Sequence, residues 1–400
     1  MKKILFFHHY NSPYGAGLSF LHILRSIDLT AYDVVVCLPS ISGDLEEHIE
    51  ELGIRVIHSA YVTPYMHFSG NETPFLSLRH LKNLKSVIES RAHIQKIIDK
   101  EKPNIVAVNS ATLFWIGRIA EESGQKALCF NRETYRHGLL GIRNEIVKRE
   151  LADHFDTVVF LSYFDIEQSR KGRAKYVRIT DKVDVTAYEK LDCKKERENL
   201  KLPQNDKLIL YVGGVPKLKG PMTILRAMVE VQHPQAKLVF LQYNKPEVVG
   251  FSAKVKDKLR IILGRNPYYT VDKCIRMNRI QDKVIFRGAT DQVEEYFVAC
   301  DVVVFPSHKA HQARPAYEAA IAHKPIIISD FPNTREFVDE TNGWLFAKDN
   351  PHELAQQIDF VLENIGSIKV KKAYSKAYKE NNLSTLSEEL KIVLAELCKE

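Results

Sequence analysis

Short, continuously apolar runs alternate along this chain with longer stretches in which apolar residues recur every three or four positions. In the first half the runs are Ile4–Phe7, Val34–Leu38, Ile54–His58, Asn104–Asn109, Lys126–Phe130, Thr157–Ser162 and Tyr176–Ile179. In the second half they are Lys207–Gly214, Ala236–Tyr243, Lys283–Gly288, Asp301–Ser307, Pro325–Asp330 and Gly343–Ala347. A strand with one wet face alternates; a strand buried on both faces does not, so these runs predict parallel sheets covered by helices. Between the halves, Asp184 to Asn205 is polar and charged with no strand pattern. The pattern therefore predicts an α/β protein of two doubly wound, Rossmann-like domains. Their expected extents are 1–184 and 206–375, with a linker at 185–205 and a charged amphipathic helix at 376–400.

Composition narrows the class. Of 400 residues, 45% are apolar and 27% charged, which excludes disordered, collagen-like and coiled-coil proteins. Lys plus Arg number 57 against 50 Asp plus Glu, a net +7. That charge suits an anionic ligand or surface, and the basic residues are not interleaved with aromatics as nucleic-acid binding would need. The six cysteines are scattered with no Cys-x-x-Cys pair, so free thiols are expected rather than a disulfide framework. The first apolar run stops at His8 and is too short for a secretory core of roughly 7–15 residues. No stretch approaches the roughly 18 apolar residues of a membrane span, so a cytoplasmic protein is expected. One segment, 78–102, carries Arg79, Lys82, Lys85, Arg91, Lys96, Lys100 and Lys102 beside Leu78, Leu81, Leu84, Ile88 and Ile98. It predicts either a helix packed on the sheet or one lying against anionic lipid; Ser169–Arg178 is a further basic patch.

Three constellations carry candidate chemistry. Gly15-Ala16-Gly17 opens a helix after the first strand, where bare backbone can approach a ligand or merely make a tight turn. After the first strand of the second half come Gly213, Gly214, Lys217, Lys219 and Gly220. Two lysines before a helix start suit a diphosphate, or simply solvate a loop. The third is the segment 301–330, where a strand ends at Pro306-Ser307 and His308, Lys309, His311 and Gln312 follow. Arg314-Pro315-Ala316 then starts a helix carrying Glu318. A carboxylate one turn into a helix at the carboxyl end of a parallel sheet can accept hydrogen bonds from two ribose hydroxyls, or stabilise the helix start.

The second half resembles the nucleotide-binding domain of a GT-B glycosyltransferase, specifically retaining glycosyltransferase family 4, also called group 1. The resemblance rests on Lys219-Gly220, the Asp301–Ser307 run, Glu318-Ala319, Ala322-His323-Lys324-Pro325 and Asn342-Gly343, in the family's order. The segment 283–301, with Arg287, resembles the part whose backbone holds the nucleobase, and 178–189 resembles the close of the acceptor domain. The resemblance implies two domains facing each other across a cleft, with the last helix crossing back to the first. It implies Lys219 on the donor diphosphate, Glu318 on the ribose, Arg314, Pro315 and Ala316 at phosphate, and Gly15 and Gly17 lining the cleft. It implies no cofactor and no metal, with a UDP- or GDP-sugar as substrate and a glycan or lipid-linked glycan as acceptor. Capsule, lipopolysaccharide or O-antigen assembly is the implied context.

The chain departs from the family at three places. Gly214 stands where an arginine is usual, and Ala310 where the first glutamate of the paired-glutamate motif falls. Lys217 or Arg314 is the candidate replacement for the first, and His308, Lys309 or His311 for the second. A histidine usual in the acceptor domain is displaced by the loop NRETYRHG, in which Glu133 or His137 can receive a hydroxyl proton or join a surface ion pair. Two rivals stay open: a nucleotide-sugar epimerase on the same scaffold, and a non-catalytic nucleotide-sugar-binding subunit.

Overall fold

Each of the thirteen apolar runs forms a strand. The computed structural model describes residues 1–13, 15–66, 77–135, 141–310, 313–338 and 342–399. The first seven strands are β1 (Lys2–Phe7), β2 (Tyr32–Leu38), β3 (Arg55–His58), β4 (Ile105–Val108), β5 (Lys126–Asn131), β6 (Thr157–Phe160) and β7 (Lys175–Arg178). They form one parallel sheet in the order β3-β2-β1-β4-β5-β6-β7. The other six are β8 (Lys207–Tyr211), β9 (Ala236–Phe240), β10 (Val284–Phe286), β11 (Val302–Phe305), β12 (Ile326–Ser329) and β13 (Gly343–Phe346). Their parallel order is β10-β9-β8-β11-β12-β13.

Burial explains why the runs do not alternate. Along β1, Leu5 and Phe7 enter one core with Trp115 and Phe155, while Ile4 and Phe6 enter another with Phe20 and Leu24. Along β8, Leu208 and Leu210 face one core, and Ile209 and Tyr211 the other. Both sides of each strand lose water, so both must be apolar.

The chain divides into two units, Met1–Lys182 with Asn382–Glu400, and Val183–Asn381. The expected linker at 185–205 is not one. Helices Val185–Glu189 and Cys193–Asn199 cap a face of the second unit, with Val185, Tyr188 and Leu202 in its core beside Phe297. Arg197 is buried there; it donates to Asp301 Oδ2 at 2.8 Å and to the carbonyls of Ala299, Gln204 and Asp206. Charge in this stretch conceals structure because Arg197 is partnered inside.

The single helix expected at 376–400 is two. Helix Lys371–Asn381 keeps Ala373 and Ala377 in the second unit's core. Asn382 then caps a new turn through Ser384 N, and helix Leu386–Leu397 packs Leu386, Leu390, Val393, Leu394 and Leu397 into the first unit against helix Ala16–Ser26. Lys182 anchors it, donating to Glu389 Oε1 at 2.7 Å.

Helix Leu78–Glu101 also differs from its expected apolar side. His80, Asn83, Val87, Ser90, Ile94, Ile98 and Glu101 face inward, whereas Leu78, Leu81 and Ile88 are exposed. The inward polar groups are matched: Asn83 bridges Pro64 O and Met66 N at 2.9 Å, and Glu101 binds Lys3 and Arg55. In the other basic patch, Arg173 and Lys175 pair with Glu121 and Glu396. Among the described residues no helix is long and apolar enough to cross a membrane.

Candidate active site

In both sheets the strand order reverses beside the first strand, between β1 and β4 and between β8 and β11. Ligands of doubly wound proteins bind outside the carboxyl ends of the strands at such a reversal. The candidate residues collect at these two points.

At the β8 end, Tyr211 donates its hydroxyl to Gly214 O at 2.9 Å and Lys219 O at 3.2 Å, folding the chain over the strand. A Cβ on Gly213 would fall 2.3 Å from that hydroxyl. Gly214 has φ +62°, a left-handed backbone conformation that favours glycine. A Cβ on Gly220 would lie 1.8 Å from Pro306 O, so only glycine lets the β8 turn close against the end of β11. Lys219 sits at this junction, its ammonium 5.4 Å from the Phe305 ring centre. Burial lowers its pKa to about 8. An ammonium held in apolar surroundings gains strongly from an anion, which a phosphate supplies. Lys217 is exposed on the same turn.

At the β11 end, Ser307 donates to Lys309 O at 2.6 Å, and Lys309 itself points to solvent. His308 is engaged by its neighbours, its Nε2 lying 2.9 Å from Thr223 Oγ1 and 2.8 Å from Asp349 Oδ1. Helix Arg314–Ile321 starts at Ala313 without a side-chain cap, with Pro315 and Ala316 buried in its first turn. Its amide N–H groups make this end electropositive. Glu318 is 5% exposed and accepts from Arg314 Nε at 2.8 Å. One turn of helix thus pairs the guanidinium and the carboxylate on one face.

The side chain of Arg287 donates to Phe286 O, Leu200 O and Lys201 O at 2.9–3.2 Å, locking strand β10 to the end of helix Cys193–Asn199. These guanidinium N–H groups serve the scaffold. His311 and His137 lie outside the described residues.

The β1/β4 reversal is furnished differently. Gly15 has φ +58° at the start of helix Ala16–Ser26, and a Cβ on Gly17 would meet Ser12 O at 1.8 Å, so both glycines shape the loop after β1. Glu133, just past β5, accepts from Ser110 Oγ, from Ala111 N at 2.8 Å and from Arg132 N at 3.2 Å. Arg132 donates to Asn109 Oδ1 at 3.0 Å and pairs with Asp181. His8 Nδ1 lies 3.1 Å from Asn109 Nδ2. Burial holds the imidazole of His8 well below the ordinary histidine range, and His9 is lowered for the same reason against the pull of Glu133. The sequence reading missed His8, His9, Asn109, Ser110 and Asp181. Their signal was position: each lies just past the carboxyl end of a strand, β1, β4 or β7. Among the described residues no group of three or more His, Cys, Asp or Glu could hold a metal ion.

Residues 192–380 match the family described as glycosyl transferases group 1. That stretch falls within the second unit. An uncharacterized glycosyltransferase of Methanocaldococcus jannaschii, MJ1607, is 28% identical over 174 residues, which are 42% of this chain and 39% of that protein. The match thus spans about two fifths of the curated relatives' length. Among solved structures, Anabaena Alr3699/HepE in complex with UDP-glucose superposes with a TM-score of 0.74 at 17% identity, covering 99% of this chain and 100% of that one. The lipopolysaccharide outer core galactosyltransferase WaaB, in apo form, gives 0.67 at 13% identity over 98% and 99%. The fold is therefore the two-domain α/β fold of the GT-B type.

Proposed function

We propose that this chain is a retaining, metal-independent glycosyltransferase of family 4 that uses a nucleoside-diphosphate sugar. One observation carries the reading: Lys219, lowered by burial, lies at the β8/β11 reversal formed where Gly220 closes on Pro306, and that strand leads into the helix of Arg314 and Glu318. Lys219 and the helix start would hold the diphosphate, with Lys217 at its edge, and Glu318 the ribose. In the transfer, the bond from the sugar C1 to the β-phosphate oxygen breaks and one from C1 to the acceptor oxygen forms on the same face. The acceptor proton leaves with the phosphate, whose developing charge Lys219 stabilises. Glu133, fixed by three hydrogen bonds, would align the acceptor hydroxyl. The UDP-glucose complex of the structural neighbour makes UDP-sugars the first donors to test, and WaaB favours a surface-polysaccharide acceptor, glycan or lipid-linked. A lipid-linked acceptor would bring the chain to the inner face of the membrane, where Leu78, Leu81 and Ile88 with Arg79, Lys82 and Lys85 would meet lipid.

Gly214 and Ala310 support a second reading, a nucleotide-sugar-binding subunit without transfer. A thermal-shift screen against UDP, GDP, ADP, CDP and their sugars, followed by product analysis with donor alone and donor plus acceptor, separates these. A ligand at about 100 times its dissociation constant adds roughly 2.7 kcal/mol of stability. A selective shift with glycoside formation supports transfer. A shift without turnover supports the subunit, epimerised donor supports an epimerase, and no shift sinks the donor site.

A further inference from the structure

Helix Phe251–Ile262 has no buried residue along its twelve positions. Ala253, Asp257 and Ile261 are its least exposed residues and share one side. Asn266 fastens that side, donating to Asp257 Oδ1 at 2.8 Å. Phe251, Val255, Leu259 and Ile262 follow the spacing i, i+4, i+8, i+11 and line the opposite side. They stand in water: Phe251 is 85% exposed and Ile262 72%. Lys254 and Lys258 border the stripe on one edge, Lys256 and Arg260 on the other; Asp257 is the helix's one acidic residue. Val249 before the helix and Leu263 after it extend the exposed apolar surface.

An apolar stripe turned away from the protein and hemmed by cations on both edges is the layout of a helix lying in a lipid interface. The apolar side chains enter the acyl boundary and the long cationic ones reach the headgroups. We infer that helix Phe251–Ile262 is an anionic-membrane docking element. Charge decides the occupant. A second copy would oppose four cations to four cations across the same stripe, while anionic lipid matches them in charge. Nucleic acid would gain nothing from Val255, Leu259 and Ile262. The surface shares no residue with the donor site, and the inference stands whether or not the chain transfers sugar.

Flotation of the full chain with vesicles tests it. The protein should bind vesicles with about 30 mol% phosphatidylglycerol, not pure phosphatidylcholine, and lose binding as salt rises. The variant F251S/V255S/L259S should bind at least about tenfold more weakly, with an unchanged melting temperature because the stripe contributes nothing to the core. Replacing Lys254, Lys256, Lys258 and Arg260 with glutamine should weaken binding while leaving the fold intact. No binding to anionic vesicles, or equal binding by the stripe variant, overturns the inference. So does loss confined to L81S/I88S on the first unit, or a dimer in light scattering that F251S/V255S/L259S dissolves.

Discussion

At the β8/β11 reversal the chain places a partly buried ammonium against the Phe305 ring, at the turn before helix Pro221–Glu230. At the β1/β4 reversal it places two imidazoles with lowered pKa, an amide, and a carboxylate bonded by its own loop. The topology of the two places is the same, and the strands reverse beside the first strand in each. What differs is the residue that follows each strand. In the proposed function the second unit would meet a diphosphate with positive charge. The first would meet hydroxyl groups with imidazoles, an amide and the Arg132–Asp181 pair around the Glu133 carboxylate. A doubly wound sheet fixes where a ligand goes; the few residues past each strand fix what kind it is.

This contrast can be broken by substitution. The largest effect is expected from Glu133→Gln: about 10²–10³ less turnover with the UDP dissociation constant within about twofold of the parent. Unimpaired turnover would reduce Glu133 to a loop fastener. Next comes Lys219→Met, which should weaken UDP binding by about 10–100-fold, the worth of a charge-assisted contact. The same contact has a pH signature. The ammonium binds phosphate and the amine does not, so UDP binding takes up a proton and the affinity should fall by about tenfold between pH 7 and pH 9 as Lys219 titrates near pH 8. Calorimetry in buffers of different ionisation enthalpy reads that proton; a flat profile, or one that survives Lys219→Met, places the diphosphate elsewhere. A smaller effect, about five- to tenfold, is expected for Glu318→Ala with UDP and a lesser one with its 2′-deoxy analogue, which keeps one of the two hydroxyls. Equal losses with both would remove the ribose from Glu318. The smallest effect on ligand, none, is expected for Arg287→Ala, although unfolding should become easier by about 1–3 kcal/mol when three carbonyls lose their donor. Weaker UDP binding at full stability would place Arg287 at the donor site.

The strands were legible because burial on both faces leaves a continuous apolar run, as in Ile4–Phe7 and Val302–Phe305. The start of the second unit was not, because its helices are short and Arg197, a charged residue, is buried against carbonyls and Asp301. Charge reads as solvent exposure until its partners are known, and those lie about a hundred positions away in sequence. The carbonyl partners of Arg287 were hidden in the same way. Lys219 and Glu318 stood out because glycines and a proline mark their turns. The network around His8 and Glu133 did not, because His8, Asn109, Arg132 and Asp181 come from four separate loops and meet only through the β-sheet order.

The helix Leu386–Leu397 completes the first unit's core although the whole second unit precedes it in the chain. During synthesis the first unit therefore waits. Ile23, Leu24 and Ile27 have no cover until the ribosome has produced the entire second unit, whose own residues are contiguous and can close at once. The nascent chain thus matures in reverse order: the half made first is finished last, and a stop codon between Asn382 and Leu386 would leave the first unit unfinished while sparing the second.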